Sequence, residues 1–182
     1  MIALNGYDAI VYDLDGTLVD LDVDWDAVAS DVRAVYDDAA TEPPGDDLWA
    51  MLEGAAEAGL LEVVEETIAS HERTGARTAP RLPFAADLEA RSVPIGVCSL
   101  NCEAACRHAL ENHGLTPAVD VVVGRDTVAT QKPDPEPLLA AVGELGVEPE
   151  QAVFVGDSER DERTARRAGV DFQYVGDGPS GV

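Results

Sequence analysis

Two aspartates, Asp13 and Asp15, stand two residues apart at the end of a short apolar segment. An extended backbone directs both side chains to one side, with Leu14 directed into the core. Adjacent carboxylates repel each other and any phosphate dianion, so such a pair requires a counter-cation, and oxygen ligands favour Mg²⁺. The pair predicts attack by Asp13 on a phosphoryl group; the less favoured alternative is an acidic strand end followed by a turn.

Further polar residues follow other predicted strands. Ser99, Leu100 and Asn101 come directly after a second apolar segment, and Asp157 comes directly after a later one, with Asp161 four residues beyond it. In open parallel sheets, ligands bind at the carboxyl ends of the strands. We therefore expect these residues to meet Asp13 and Asp15 at one edge of a sheet.

Apolar segments that are typical of buried strands alternate with helical patterns along most of the chain. The predicted strands are residues 9–12, 94–98, 119–123, 152–155 and 172–175, and the predicted helices between them are 84–91, 102–113, 135–145 and 159–168. This alternation predicts an α/β fold with a parallel, doubly wound sheet.

Residues 20–82 separate the first two strands by more than one crossover needs, and a structureless loop of this length is uncommon in a compact domain. Helices are predicted at 25–38, 46–60 and 61–75. We expect a small helical cap at 20–82, inserted after the first strand into a core made of 1–19 and 83–182. Trp25 and Trp49 are more typical of packing within this cap than of a platform for ligand stacking.

Four segments together resemble the motifs of the haloacid dehalogenase (HAD) superfamily. They are DLDGTL at 13–18, VCSLN with Ser99, QKPDPEP with Lys132, and GDSERD at 156–161. Their order and spacing agree with the family from residue 12 to 175, most nearly with its phosphoglycolate phosphatase-like branch. The resemblance implies a Rossmann-like core and an Mg²⁺-dependent phosphatase that acts on a small phosphorylated metabolite.

The resemblance also implies a role for each motif residue. Asp13 would form an aspartyl-phosphate, and Asp15 would protonate the leaving group and then activate water. Ser99, Leu100, Asn101 and Lys132 would hold the phosphoryl oxygens.

The metal ligands implied by the resemblance are Asp13, the main-chain carbonyl of Asp15, and Asp157. Asp161 would contact these ligands, or the metal through a bridging water. The alternative is a solvated acid at the start of a helix. Asp15 favours phosphoryl chemistry over dehalogenation, because a departing halide needs no proton. A phosphomutase and a non-catalytic regulatory protein remain alternatives.

Lys132 is the only lysine of the chain, beside eleven arginines. A compact ammonium can lie among Asp13, Asp157 and a phosphate oxygen, where a planar guanidinium would not fit equivalently. The alternative is a surface lysine without a role.

The formal net charge of −24 indicates a surface that repels nucleic acid and anionic membranes. No membrane-length apolar stretch and no secretory signal are apparent, so we expect a cytoplasmic protein. Carboxylate excess with little lysine resembles haloarchaeal proteins, whose molar salt shortens the Debye length to roughly 3 Å. The oligomeric state is not predicted.

Two further groups have less certain roles. His71, Arg73, Arg77 and Arg81 could contact an anionic substrate, but pairing with local carboxylates is the favoured interpretation. The three cysteines, at positions 98, 102 and 106, are expected to pack as small apolar residues, since they form neither a CxxC pair nor an even set.

Overall fold

A parallel sheet forms the centre of the protein in the computed structural model, which describes Leu4, residues 6–176 and Gly178. Its strands are β1 (Ala9–Tyr12), β2 (Ile95–Cys98), β3 (Val121–Val123), β4 (Ala152–Gly156) and β5 (Asp171–Tyr174). Their order is β3-β2-β1-β4-β5, and every neighbouring pair is parallel. The predicted α/β, Rossmann-like fold is confirmed, with β1 in the middle of the sheet.

Helices follow the strands as predicted, and the first four of them lie between β1 and β2. They are α1 (Trp25–Asp38), α2 (Leu48–Ala55), α3 (Leu61–Gly75), α4 (Ala85–Leu88), α5 (Glu103–Asn112), α6 (Glu136–Glu144) and α7 (Glu159–Ala168). Short 3₁₀ helices at Thr116–Ala118 and Pro149–Gln151 precede β3 and β4. Within the described residues, no helix has both the length and the apolar character that crossing a bilayer requires.

Residues of β1 alternate between the two faces of the sheet, as a strand requires. Ile10 and Tyr12 belong to a core cluster that includes buried residues of α5, whereas Val11 belongs to a second cluster with residues of α6 and α7. All four residues of β1 are fully buried. The strand that carries the two aspartates is therefore held on both faces and along both edges.

Helices α1, α2 and α3 share a third apolar cluster, which includes Val28, Met51 and Ile68. Tyr36 is buried among them, and its hydroxyl donates a hydrogen bond of 2.6 Å to the main-chain oxygen of Met51. The division of the chain at residues 20 and 82 stays a prediction, and the core unit's outermost residues, 1–3 and 179–182, lie outside the described part.

Some predicted elements are longer than the observed ones. Helix α2 ends at Ala55 and not at residue 60, because Gly59 takes a left-handed conformation (φ 71°) that a continuing helix cannot contain. Strand β3 begins at Val121 and not at 119, because the amide of Val119 donates to Thr116 in the preceding 3₁₀ turn.

The three cysteines are buried and free of disulfides, two of them in one core cluster and Cys98 in the other. The prediction that they serve as small packing residues is confirmed.

Candidate active site

Asp13 and Asp15 lie at the carboxyl end of β1, on either side of the fully buried Leu14. The amide of Asp13 continues the sheet by donating to the Val155 oxygen at 2.8 Å. Asp15 Oδ1 accepts a hydrogen bond of 2.7 Å from the amide of Leu21, which orients this carboxyl group. Both aspartates line the same cavity.

Gly16 allows the turn after β1 to approach Asp157 closely. Its φ of 79° lies in the left-handed region, and a Cβ placed there would lie 2.3 Å from Asp157 Oδ2. Any side chain at this position would displace that carboxylate. Glycine thus brings the ends of β1 and β4 together.

Lys132 is the buried cation of the site. Its Nζ donates to Asp13 Oδ1 at 2.8 Å and to Asp161 Oδ1 at 2.5 Å. The predicted neighbour Asp13 is present, but the second carboxylate partner is Asp161 and not Asp157. Asp161 is held there because its other oxygen accepts from the amide and hydroxyl of Ser158 in the capping box of α7. The side chain of Asp161 is only 2% exposed, so it is not a solvated helix-start acid.

The carboxylates of Asp13, Asp157 and Asp161 have oxygens within 4.8 Å of one another, an arrangement that can hold a metal ion. Burial raises the pKa of Asp13, and the charges of Asp161 and Asp157 raise it further, against the opposing effect of Lys132. Burial alone would lower the pKa of Lys132, but the Asp13 and Asp161 carboxylates raise it above its ordinary value. One ammonium therefore does not balance three carboxylates, and the donor set suits an additional hard cation.

Asp15 has a different environment from Asp13. Burial raises its pKa to about 6, although the hydrogen bond from the Leu21 amide acts in the opposite direction. A carboxyl group with this pKa can both give and take a proton near neutral pH.

The loop after β2 places Ser99, Leu100 and Asn101 on the wall of the same cavity. The Ser99 hydroxyl donates to Asn101 Oδ1 at 2.9 Å, and it accepts from the Asn101 amide at 3.1 Å. These two hydrogen bonds fold the loop on itself beside the cavity that Asp13 and Asp15 also line.

A buried ion pair that the sequence analysis missed fixes this loop from behind. Arg125 Nη1 lies 2.6 Å from Glu72 Oε1 and also donates to the Leu100 oxygen at 2.6 Å. Glu72 Oε2 accepts from the Cys102 amide at 2.9 Å. Glu72 belongs to α3 and Arg125 follows β3, so no local pattern in the sequence indicates their contact.

Every predicted site residue lines one cavity of about 990 Å³. Its predicted lining residues are Asp13, Asp15, Ser99, Leu100, Asn101, Lys132, Asp157 and Asp161. The structure adds Trp25, Trp49, Arg160 and Arg163, which were not predicted to reach a substrate site.

The cation-rich segment at 71–81 does not line this cavity. His71 contacts Asp31 at 2.8 Å, Arg73 contacts Glu66 at 2.5 Å, and Arg81 contacts Glu89 at 2.8 Å. Local pairing, the favoured interpretation, accounts for three of its four members.

Known proteins are similar to this chain over most of its length. The sequence model of the haloacid dehalogenase-like hydrolase family matches residues 10–175 of this chain. A phosphoglycolate phosphatase from Rhodospirillum rubrum is 36% identical, with 89% of this chain and 76% of the relative covered. A phosphoglycolate phosphatase from Aquifex aeolicus is 30% identical, with 88% and 81% covered.

A solved structure agrees with these relatives. The crystal structure of a HAD-superfamily hydrolase of subfamily IA from Geobacter sulfurreducens superposes with a TM-score of 0.62 at 25% identity, covering 91% of this chain and 88% of that one. The family model extends over the site as well as the sheet, and the two curated relatives cover most of the chain. This chain therefore belongs to the haloacid dehalogenase-like hydrolase family, as a phosphatase similar to the phosphoglycolate phosphatases.

Proposed function

We propose that the protein is an Mg²⁺-dependent phosphatase that hydrolyses small phosphorylated metabolites through an aspartyl-phosphate on Asp13. The contact of the buried Lys132 ammonium with Asp13 and Asp161 carries this proposal. It fixes Asp13 at the end of β1, beside an acidic group that suits a metal ion. Asp15 lies two residues away, with a pKa suited to proton transfer.

In this proposal Asp13, Asp157 and the Asp15 main-chain carbonyl would hold the Mg²⁺, while Asp161 supports the site through Lys132 and Ser158. Bound Mg²⁺ would neutralise part of the carboxylate charge and polarise a phosphoryl oxygen.

The chain's own residues would act in two steps. First, an Asp13 carboxylate oxygen attacks phosphorus and the bond from phosphorus to the ester oxygen breaks. The protonated Asp15 gives its proton to that oxygen, so an alcohol leaves. Second, Asp15, now a carboxylate, takes a proton from water while the water oxygen attacks phosphorus. The bond from phosphorus to Asp13 then breaks, which releases inorganic phosphate and restores both aspartates.

We propose that the phosphoryl oxygens of the substrate are bound by Ser99, by the loop backbone at Leu100 and Asn101, and by Lys132. Hydroxyl, amide and ammonium groups are donors that suit a phosphoryl group. All four residues line the cavity that Asp13 faces.

Phosphoglycolate is the first substrate to test, because the two relatives described above are phosphoglycolate phosphatases. We also propose that residues 20–82 act as a cap over a core of 1–19 and 83–182, and that the enzyme works in a salt-rich cytoplasm. The apolar cluster shared by α1, α2 and α3 supports the first point, and the net charge of −24 supports the second.

The test is phosphate release from p-nitrophenyl phosphate, phosphoglycolate and a panel of sugar phosphates in molar KCl. Turnover is expected with Mg²⁺ and not with EDTA, and Asp13→Asn, which keeps the side chain's shape, is expected to abolish it. Transfer of the phosphoryl group to a second sugar hydroxyl would instead identify a phosphomutase. No Mg²⁺-dependent turnover of any substrate by folded protein would contradict the proposal.

A further inference from the structure

Arg160 lies on the wall of the active-site cavity, against an aromatic pair. Its guanidinium carbon is 5.3 Å from the ring centroid of Trp49, and the rings of Trp49 and Trp25 are 6.1 Å apart. All three side chains are partly buried and line the cavity. Arg160 extends from the first turn of α7 and Trp49 from α2, so two separate parts of the fold build this wall.

The guanidinium of Arg160 has no carboxylate partner among the described residues. Lys132, the buried cation of the cavity, is already held by Asp13 and Asp161. The charge of Arg160 is therefore available to a ligand in the cavity.

The Trp49 ring lies within cation–π distance of this guanidinium, which favours its position on the cavity wall. The guanidinium is a planar fork with five N–H donors. Such a fork suits a carboxylate, which can accept two hydrogen bonds from it.

The rest of the cavity would repel a second anion on the substrate. Asp15, Asp20 and Glu159 line it together with the metal-binding carboxylates. A substrate with a carboxylate beside its phosphoryl group would enter only if a cation compensated this charge. Arg160 supplies that cation, and Arg163, one helical turn further along α7, adds a second at the exposed rim.

We infer that Arg160, supported by Trp49, recognises a carboxylate on the organic part of the substrate and so selects phosphorylated acids over neutral phosphate esters. This inference rests on the proposed phosphatase function.

The test compares two substrates of nearly the same size, phosphoglycolate and ethyl phosphate, which differ by a carboxylate in place of a methyl group. We expect Arg160→Gln to lower the ratio of their kcat/KM values roughly 10- to 100-fold, as expected for the loss of a charge-assisted hydrogen bond. Turnover of ethyl phosphate should stay near the wild-type value, and Arg160→Lys should recover part of the selectivity. Arg166→Gln, the same change of charge at an exposed position of α7 outside the cavity, is the matched control and should leave the ratio unchanged.

Two outcomes would overturn the inference. An unchanged ratio of the two kcat/KM values in Arg160→Gln would show that the arginine does not bind the carboxylate. An equal loss of turnover on both substrates would show that its contact with Trp49 only holds α2 against α7. If the wild-type enzyme hydrolysed neither substrate nor p-nitrophenyl phosphate, the proposed function itself would fail, and the inference with it.

Discussion

At the scale of single residues, Asp13 and Asp15 have the same side chain but different surroundings. Asp13 is bound by the Lys132 ammonium at 2.8 Å, which fixes one of its oxygens. Within the described part of the chain, Asp15 is hydrogen-bonded to the main-chain N–H of Leu21 at 2.7 Å, and burial raises its pKa to about 6. One carboxyl group is therefore suited to attack and the other to proton transfer.

The raised pKa of Asp15 predicts a pH dependence that differs between substrates. Above about pH 6 the protonated fraction of Asp15 falls, so kcat/KM for ethyl phosphate, whose alkoxide needs that proton, should fall as pH rises. The profile for p-nitrophenyl phosphate should fall much less, since nitrophenolate leaves without a proton. Steady-state kinetics on both substrates over the same buffers give the comparison, on the alkaline side where both esters are dianions. Parallel alkaline limbs would argue against Asp15 as the acid.

At the scale of secondary-structure elements, the ion pair between Glu72 and Arg125 connects α3 to the loop that carries Ser99. Glu72 is fully buried, and Arg125 is nearly so. The pair contacts the loop's backbone at both ends, through the Leu100 oxygen and the Cys102 amide. Its loss should therefore affect both stability and the shape of the phosphate-binding loop.

We expect Glu72→Gln to lower the free energy of unfolding by about 3 kcal/mol, because it leaves the buried Arg125 without its main partner. Glu66→Gln is the matched control on the same helix. It removes the more exposed contact with Arg73, so it should cost less than about 1 kcal/mol. Urea unfolding of both variants in molar KCl measures the difference. Equal, small effects would mean that the buried pair contributes little beyond a surface contact.

The sequence predicted most of the elements but not the contacts between them. The bounds of α1, α3 and α7 were predicted to the residue, since the apolar periodicity of a helix is a local feature of the sequence. The end of α2 was wrong, because the turn at Gly59 interrupts a pattern that otherwise continues as a helix.

The predicted site residues come from motifs at strand ends, and the topology of the sheet accounts for their meeting. Glu72 and Arg125 look like solvated charges in the sequence, because contact between residues 53 positions apart depends on packing that a single sequence does not show. For the same reason Arg160 was not predicted to reach Trp49, which lies on a different element.

At the scale of the whole molecule, the main feature is the formal net charge of −24. Repulsion among so many carboxylates opposes compaction in dilute buffer. Raising the ionic strength from 0.1 M to 1 M shortens the Debye length from about 10 Å to about 3 Å and so screens most of this repulsion.

We therefore predict that the midpoint of thermal unfolding rises by at least about 4 °C between 0.1 M and molar KCl, equivalent to 1 kcal/mol or more for a chain of this size. Differential scanning calorimetry measures the shift, and sucrose at matched osmolality separates charge screening from solute exclusion. A constant or falling midpoint in KCl would show that surface repulsion does not limit the stability of this fold.

The central claim is that Asp13 carries the phosphoryl group during turnover. Its most direct test is acid quenching of the Asp15→Asn variant after mixing with p-nitrophenyl phosphate and Mg²⁺, followed by mass spectrometry of the peptides. Because nitrophenolate leaves unaided while water is no longer activated, the account predicts a burst of nitrophenol and nearly stoichiometric phosphorylation of Asp13. Repeated turnover without any phosphorylated peptide, or a phosphoryl group on another residue, would contradict it.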